Sequence, residues 1–176
     1  MMRALFGSPI DRNRVRSLLL VLCAGLFFAS ACAESSHDSE RLITLAESFE
    51  VDAKLSQQQQ LPIVVFISQH GCEFCELLRE KVLFPMMRSG QMQEKAIFRE
   101  LSLDQDFFAL DFDGERISGM KFAERYGSVL TPTILFLGEG GRELARKRVG
   151  INNIEYYSFY LGQSLEEATS ELVNSD

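Results

Sequence analysis

Apolar residues fall along this chain in two patterns, unbroken runs and recurrences at intervals of three and four. The run Ile63-Val64-Val65-Phe66-Ile67 has no polar alternation, which predicts a strand covered on both faces. Pro62 opens it, at a place where a missing N–H is tolerated. Upstream, Leu42, Leu45, Ala46, Phe49 and Ala53 predict a helix from about Glu40 to Gln60, with the polar tract Gln57 to Gln60 as its solvated end. Downstream, Phe74, Leu77, Leu78 and Val82 form the inner stripe of a second helix, from Cys72 to about Arg88, and Glu76, Arg79 and Glu80 its outer face. Pro85 is expected to kink or end that helix, and Ser89-Gly90 to mark its stop. A second strand is predicted near Ala96 to Leu103, with Ile97, Arg99, Leu101 and Leu103 on one face and Phe98 on the other. Arg99 fits that apolar face badly, so the strand is expected to be short or partly exposed.

The remaining elements follow from turn signals. Asp113-Gly114 between Leu110-Asp111-Phe112 and Glu115-Arg116-Ile117 predicts a hairpin. A short helix, Lys121 to Tyr126, ends at Gly127. Thr131-Pro132-Thr133 opens a strand, Ile134 to Leu137, and Gly138-Glu139-Gly140-Gly141 turns it into another, Glu143 to Val149. The last helix is expected to start at Asn152, with Glu155 placed for a capping box and Ile154, Tyr157, Leu161, Leu165, Ala168 and Leu172 on its inner face. A crossover helix after the first strand implies parallel pairing, and the short glycine turn implies an antiparallel pair. The fold class is therefore α/β, a mixed central sheet with helices on both faces.

The N-terminus has a different composition. Arg3, Arg12, Arg14 and Arg16 precede a short apolar run, Leu18 to Phe28, that is shorter than a membrane span of about 20 residues. Small residues follow, and residues 1–33 are read as a signal peptide cut at Ala31-Cys32-Ala33, before Glu34. The alternative is a lipoprotein signal of residues 1–31, in which Ala29-Ser30-Ala31-Cys32 resembles a lipobox and Cys32 carries lipid; Ala29 stands where leucine is usual. Residues 34–39 read as a flexible tether, and 40–176 as one domain of about 140 residues with one core. This organisation predicts secretion across the inner membrane into the periplasm, free or lipid-anchored.

Charge and cysteine usage narrow the chemistry. Residues 1–32 hold four of the 18 Lys+Arg and one of the 25 Asp+Glu, which leaves 14 basic against 24 acidic residues, a net charge of −10. Such a chain is not selected by nucleic-acid phosphates. Cys23 and Cys32 fall in the leader, so Cys72 and Cys75 are the thiols of the folded part. A pair this close closes too small a loop to restrain the unfolded chain, so its use is chemical. Cys72-Glu73-Phe74-Cys75 sits where a strand gives way to a helix, whose free N–H groups and partial positive charge favour thiolate over thiol. The expected reaction is thiol–disulfide exchange, with Cys72 as nucleophile and Cys75 as resolving thiol, no cofactor and no metal.

On these residues the chain resembles the thioredoxin-fold superfamily. Phe66 through Cys75, the following helix, Thr131-Pro132-Thr133, the glycine-turn hairpin and the final helix carry the likeness over roughly residues 60–172. The spacing from Cys72 to Val82, Leu110-Asp111-Phe112-Asp113-Gly114 and Tyr126-Gly127 are similar to the secreted bacterial thioredoxin-related, SoxW-like group. The resemblance implies that Pro132 is cis and faces the cysteines, and that Thr131 offers backbone hydrogen bonds to a bound substrate. It implies a disulfide-containing protein as substrate and a membrane electron-transfer protein as donor of reducing equivalents. The chain departs from cytosolic thioredoxins at three places. Gly71 replaces a tryptophan, Phe66 replaces a buried aspartate, and Glu73-Phe74 replaces Gly-Pro. Without the aspartate, deprotonation of the resolving thiol needs another base or water. Glu73 should oppose a thiolate at Cys72 and a protonated His70 should favour it, and the balance is read as pointing to a reductase.

Other readings compete. A copper(I) delivery module would use Cys72, Cys75 and His70, but no third soft ligand has clear spacing, Met86 and Met87 being more than two helical turns away. Asp104, Asp106, Asp111 and Asp113 fail the spacing of a calcium loop and are read as solvated turns. Phe107, Phe108 and Phe112 are expected to pack under the hairpin, the alternative being that they line a substrate groove, and Tyr156, Tyr157 and Tyr160 to pack along the last helix.

Overall fold

A computed structural model of the protein describes residues 42–90 and 92–174. The signal of residues 1–33, the tether of 34–39 and Cys32 lie outside the described residues. The central sheet has five strands in the order β1-β3-β2-β6-β7, namely β1 (Thr44–Leu45), β2 (Ile63–Ser68), β3 (Ile97–Ser102), β6 (Thr133–Leu137) and β7 (Arg148–Val149). β1 and β2 pair with β3 in parallel, while β6 pairs antiparallel with β2 and β7. A separate hairpin joins β4 (Phe108–Leu110) to β5 (Arg116–Ser118), as Asp113-Gly114 predicts.

The unbroken apolar run of β2 is fully buried because both sheet faces are covered. Val64 and Phe66 enter one cluster with Cys75, Leu78 and Val82 from the second helix and Leu161, Leu165 and Ala168 from the last. Ile63, Val65 and Ile67 enter the other with Phe49 of α1 (Phe49–Gln59) and Phe122 of α4 (Gly119–Arg125). Alternate side chains of one strand thus feed two cores, and each fully buried Phe or Ile contributes about 1.5–3 kcal/mol. Phe112 under the hairpin stacks on Phe49 at 5.3 Å, whereas Phe108 is exposed beneath the Arg116 guanidinium.

Four sequence expectations are corrected. The first helix begins at Phe49, not near Glu40, because Ser48 caps it by accepting the Val51 N–H, and Thr44–Leu45 instead cover the edge of β3. The strand expected at Glu143 to Val149 shrinks to Arg148–Val149 and a single bridge from Leu137 to Glu143. Leu144 and Ala145 are both buried in the cluster that also holds Leu161 and Leu165. The last helix, α5, spans Tyr157–Val173, because the Asn153 carboxamide oxygen accepts the N–H groups of Glu155 and Tyr156 and holds them in a turn. Its inner face is Tyr157, Leu161, Leu165, Ala168 and Leu172 as expected, while Tyr156 and Tyr160 are exposed.

The fourth correction concerns the second helix. It runs as α2 (Glu73–Leu78), a π-helical turn (Arg79–Leu83) and α3 (Phe84–Arg88). Pro85 neither donates a hydrogen bond nor leaves room for the carbonyl one turn back. The π turn, closed by the Phe84 N–H on the Arg79 carbonyl, carries the helix past this obstacle. Its buried stripe starts at Cys75 and continues through Leu78 and Val82. Phe74 therefore faces solvent at 63% exposure, and Arg79, expected outside, has a side chain only 14% exposed.

Candidate functional site

The site forms where β2 ends. Ser68 closes the strand, and Gly71 takes a φ of +72°, a left-handed backbone that tryptophan adopts only at a cost. Cys72 then caps α2 in extended geometry, and its Sγ accepts the Cys75 N–H at 3.1 Å. The two cysteines are joined in a disulfide. They differ in access: Cys72 is partly exposed, whereas Cys75 is fully buried in the core.

The loop before β6 comes against Cys72 from the other side. The Thr131-Pro132 bond is cis. The Thr131 hydroxyl donates to Cys72 Sγ at 3.3 Å, and the Pro132 carbonyl accepts the Gly150 N–H at 2.8 Å. Cys72 Sγ thus faces two donors, one from a backbone N–H at a helix start and one from a hydroxyl, and both favour a thiolate there. Phe74 and Leu130, the latter 66% exposed, leave apolar surface directly beside these residues in the chain.

Beneath the site lies a charged network with no sequence signal of its own. Phe66 and Glu100 are register partners on β2 and β3. Glu100 Oε1 accepts the Ser68 hydroxyl at 2.6 Å and also a guanidinium N–H of Arg79. The same guanidinium lies 5.1 Å over the Phe66 ring and binds Glu76. Burial opposes the charge of Arg79, but its bonds to Glu100 and Glu76 outweigh burial and raise its pKa above the ordinary arginine value. The carboxylate missing from position 66 is therefore supplied to the same sheet face by the neighbouring strand.

On the opposite face, Arg99 has its own partner. Its Nε and Nη2 donate to the two oxygens of Asp52 at 3.0 and 2.6 Å. Arg99 thus stays on a fully formed strand, and the awkwardness of its position is resolved by an acid on α1. Burial raises the Asp52 pKa despite Arg99.

The remaining predicted positions are placed as follows. His70 is exposed, and its backbone N–H donates to the Asp104 carboxylate at 3.2 and 3.3 Å; its ring makes no hydrogen bond among the described residues. Glu73 is exposed at the first position of α2. Asp104 thereby holds the loop before the cysteines, and Asp111 pairs with Arg125. Among the described residues no group of three or more His, Cys, Asp or Glu side chains could hold a metal ion, so the copper(I) reading gains no third ligand.

Comparison with known proteins agrees with this geometry. The thioredoxin-like domain family matches residues 49–164. No curated protein matches the chain. Among solved structures, a thioredoxin from Thermus thermophilus superposes with a TM-score of 0.50 at 19% identity, covering 68% of this chain and 85% of that one. A DsbH oxidoreductase superposes with a TM-score of 0.52 at 15% identity, covering 78% and 96%. Such identities establish the fold alone. With the family match spanning most of the described residues, and a Cys72–Cys75 disulfide facing a cis-proline, the chain belongs to the thioredoxin-like domain family.

Proposed function

We propose that the protein is a thiol–disulfide oxidoreductase of the bacterial cell envelope that reduces disulfides in other proteins. The observation that carries this reading is the asymmetry of the pair, a partly exposed Cys72 sulfur with two hydrogen-bond donors beside cis-Pro132 and a buried Cys75 behind it. The Cys72 thiolate attacks a substrate disulfide, forming a mixed disulfide and releasing one substrate sulfur as thiolate. Cys75, once deprotonated, attacks Cys72 Sγ, expels the second substrate sulfur and closes the Cys72–Cys75 disulfide. Two electrons pass to the substrate, and both of its sulfurs leave as thiols after taking up protons. The partly exposed Thr131, ahead of the buried Pro132, would offer its backbone to the substrate segment, with Phe74 and Leu130 as apolar surroundings.

The oxidised protein then needs an external dithiol, and a membrane electron-transfer protein would supply it. The basic and apolar character of residues 1–33 supports export to the periplasm, with lipid at Cys32 as the anchored form. The spacing from Cys72 to Val82, with Leu110 to Gly114 and Tyr126-Gly127, supports placement in the SoxW-like group. Glu73 beside Cys72 opposes the thiolate and supports the reducing direction. The test is dithiol-dependent reduction of insulin by the wild-type protein and by Cys72→Ser. Turnover abolished in the variant supports the proposal, and equal turnover in both refutes it. A reduction potential near −270 mV (~thioredoxin) would fix the direction as reducing, and one near −120 mV (~DsbA) as oxidising.

A further inference from the structure

A cavity of about 770 Å³ opens between the loop before β7 and the N-terminal half of α5. The charged residues lining it are Arg146, Lys147, Arg148 and Glu167. Lys147 is committed elsewhere, since its Nζ donates to the Tyr126 carbonyl and lies 3.7 Å from Glu143. Arg146 is exposed and has no carboxylate partner among the described residues. Arg148 has none either; its Nε donates to the Ser164 hydroxyl at 2.9 Å and its guanidinium lies 5.5 Å from the Tyr160 ring centroid. A guanidinium held on two sides in this way keeps its remaining N–H groups in a fixed fork.

Two further features mark the place. Tyr157 lines the cavity, and its hydroxyl is buried without a hydrogen-bond partner. Leaving a buried hydroxyl bare in this way is unfavourable. Gly150 both lines the cavity and donates its N–H to the Pro132 carbonyl. The rim is thus one hydrogen bond from the cis-proline that faces Cys72. A segment lying extended along Thr131 and Pro132 advances about 3.3 Å per residue, so residues flanking its cystine come within reach of that rim.

We infer that this cavity seats an acidic side chain of the protein segment whose cystine docks at Cys72, so that the preferred substrates carry Asp or Glu near the reacting disulfide. The inference rests on the proposed reductase activity and adds to it the charge of the substrate. Arg146 and Arg148 supply the attraction, in a chain whose net charge is −7 and whose cationic positions are otherwise outnumbered. Glu167, on the α5 wall, opposes it.

The test uses synthetic cystine peptides, neutral except for one Glu moved through the flanking positions, each beside its Gln counterpart, with dithiothreitol as reductant. The readout is the ratio of kcat/KM for the Glu peptide to that for the Gln peptide. Wild type should favour Glu at one or more positions by about three- to fivefold. Arg146→Gln should lower that ratio, Arg146→Gln with Arg148→Gln should bring it close to one, and Glu167→Gln should raise it. Equal rates on Glu and Gln peptides in the wild type overturn the inference and leave the reductase reading standing. A preference that survives in the double variant also overturns it. No turnover of any peptide by the wild type defeats both.

Discussion

The Thr131 hydroxyl donates to the Cys72 sulfur at 3.3 Å, linking the nucleophile to the residue that precedes the cis-proline. One side chain thus belongs both to the sulfur's environment and to the edge where a substrate would lie. Removing the hydroxyl while keeping the shape isolates the first role. Thr131→Val should raise the pKa of Cys72 in the reduced protein, since a hydrogen bond to an ionised group is stronger than one to its neutral form. Thiolate absorbance titrated against pH measures it, and an unmoved titration would mean that the contact does not act on the reduced sulfur.

The Arg79–Glu100 pair lies almost wholly out of solvent, with side chains 14% and 12% exposed. Glu100→Gln leaves the Arg79 guanidinium with only the exposed Glu76 as a charged partner, so it should destabilise the oxidised protein by roughly 1–3 kcal/mol. Replacing both, as Arg79→Met with Glu100→Leu, should cost less than the single change, because no charge is left unpaired. Urea unfolding midpoints compare the two. A double variant as unstable as the sum of its parts would show that the pair is worth more than its desolvation.

Acid stability should depend on Asp111. Burial opposes its charge, but two bonds from Arg125 and the Phe112 N–H outweigh that and hold its pKa below the ordinary carboxylate value. A folded pKa below the unfolded one contributes stability that is complete above about pH 4, the unfolded value, and is lost as pH falls through the folded value. Asp52 has the opposite sign, since burial raises its folded pKa. Asp111→Asn should therefore flatten the fall in stability below about pH 4. Chemical denaturation across that range reads the slope, and an unchanged slope would remove Asp111 from the account.

Much of the fold was legible where one physical signal dominated. The apolar run of β2, the glycine turns and the Cys72–Cys75 spacing each admit few alternatives, and Pro132 stands where the family resemblance put it. The sequence misled where two signals coincided. Leu42 to Phe49 satisfies helical spacing, yet Ser48 caps a helix that begins at Phe49, and Thr44–Leu45 cover the edge of β3. Charge and apolarity alone place Phe74 inside and Arg79 outside, the reverse of the structure, because a buried arginine is tolerable only beside a partner. That partner, Glu100, is far off in sequence, on β3. The mismatch of Arg99 was a usable signal: an arginine on an apolar strand face calls for a buried acid, and Asp52 is that acid.

The central claim is that Cys72 meets the substrate and Cys75 resolves it. Cys75→Ser, reduced and mixed with a disulfide-bonded protein such as insulin, should accumulate a covalent adduct through Cys72, visible on a non-reducing gel and by mass spectrometry. Cys72→Ser under the same conditions should yield none, because Cys75 is buried. An adduct trapped by Cys72→Ser and absent from Cys75→Ser would reverse the two roles and contradict the account.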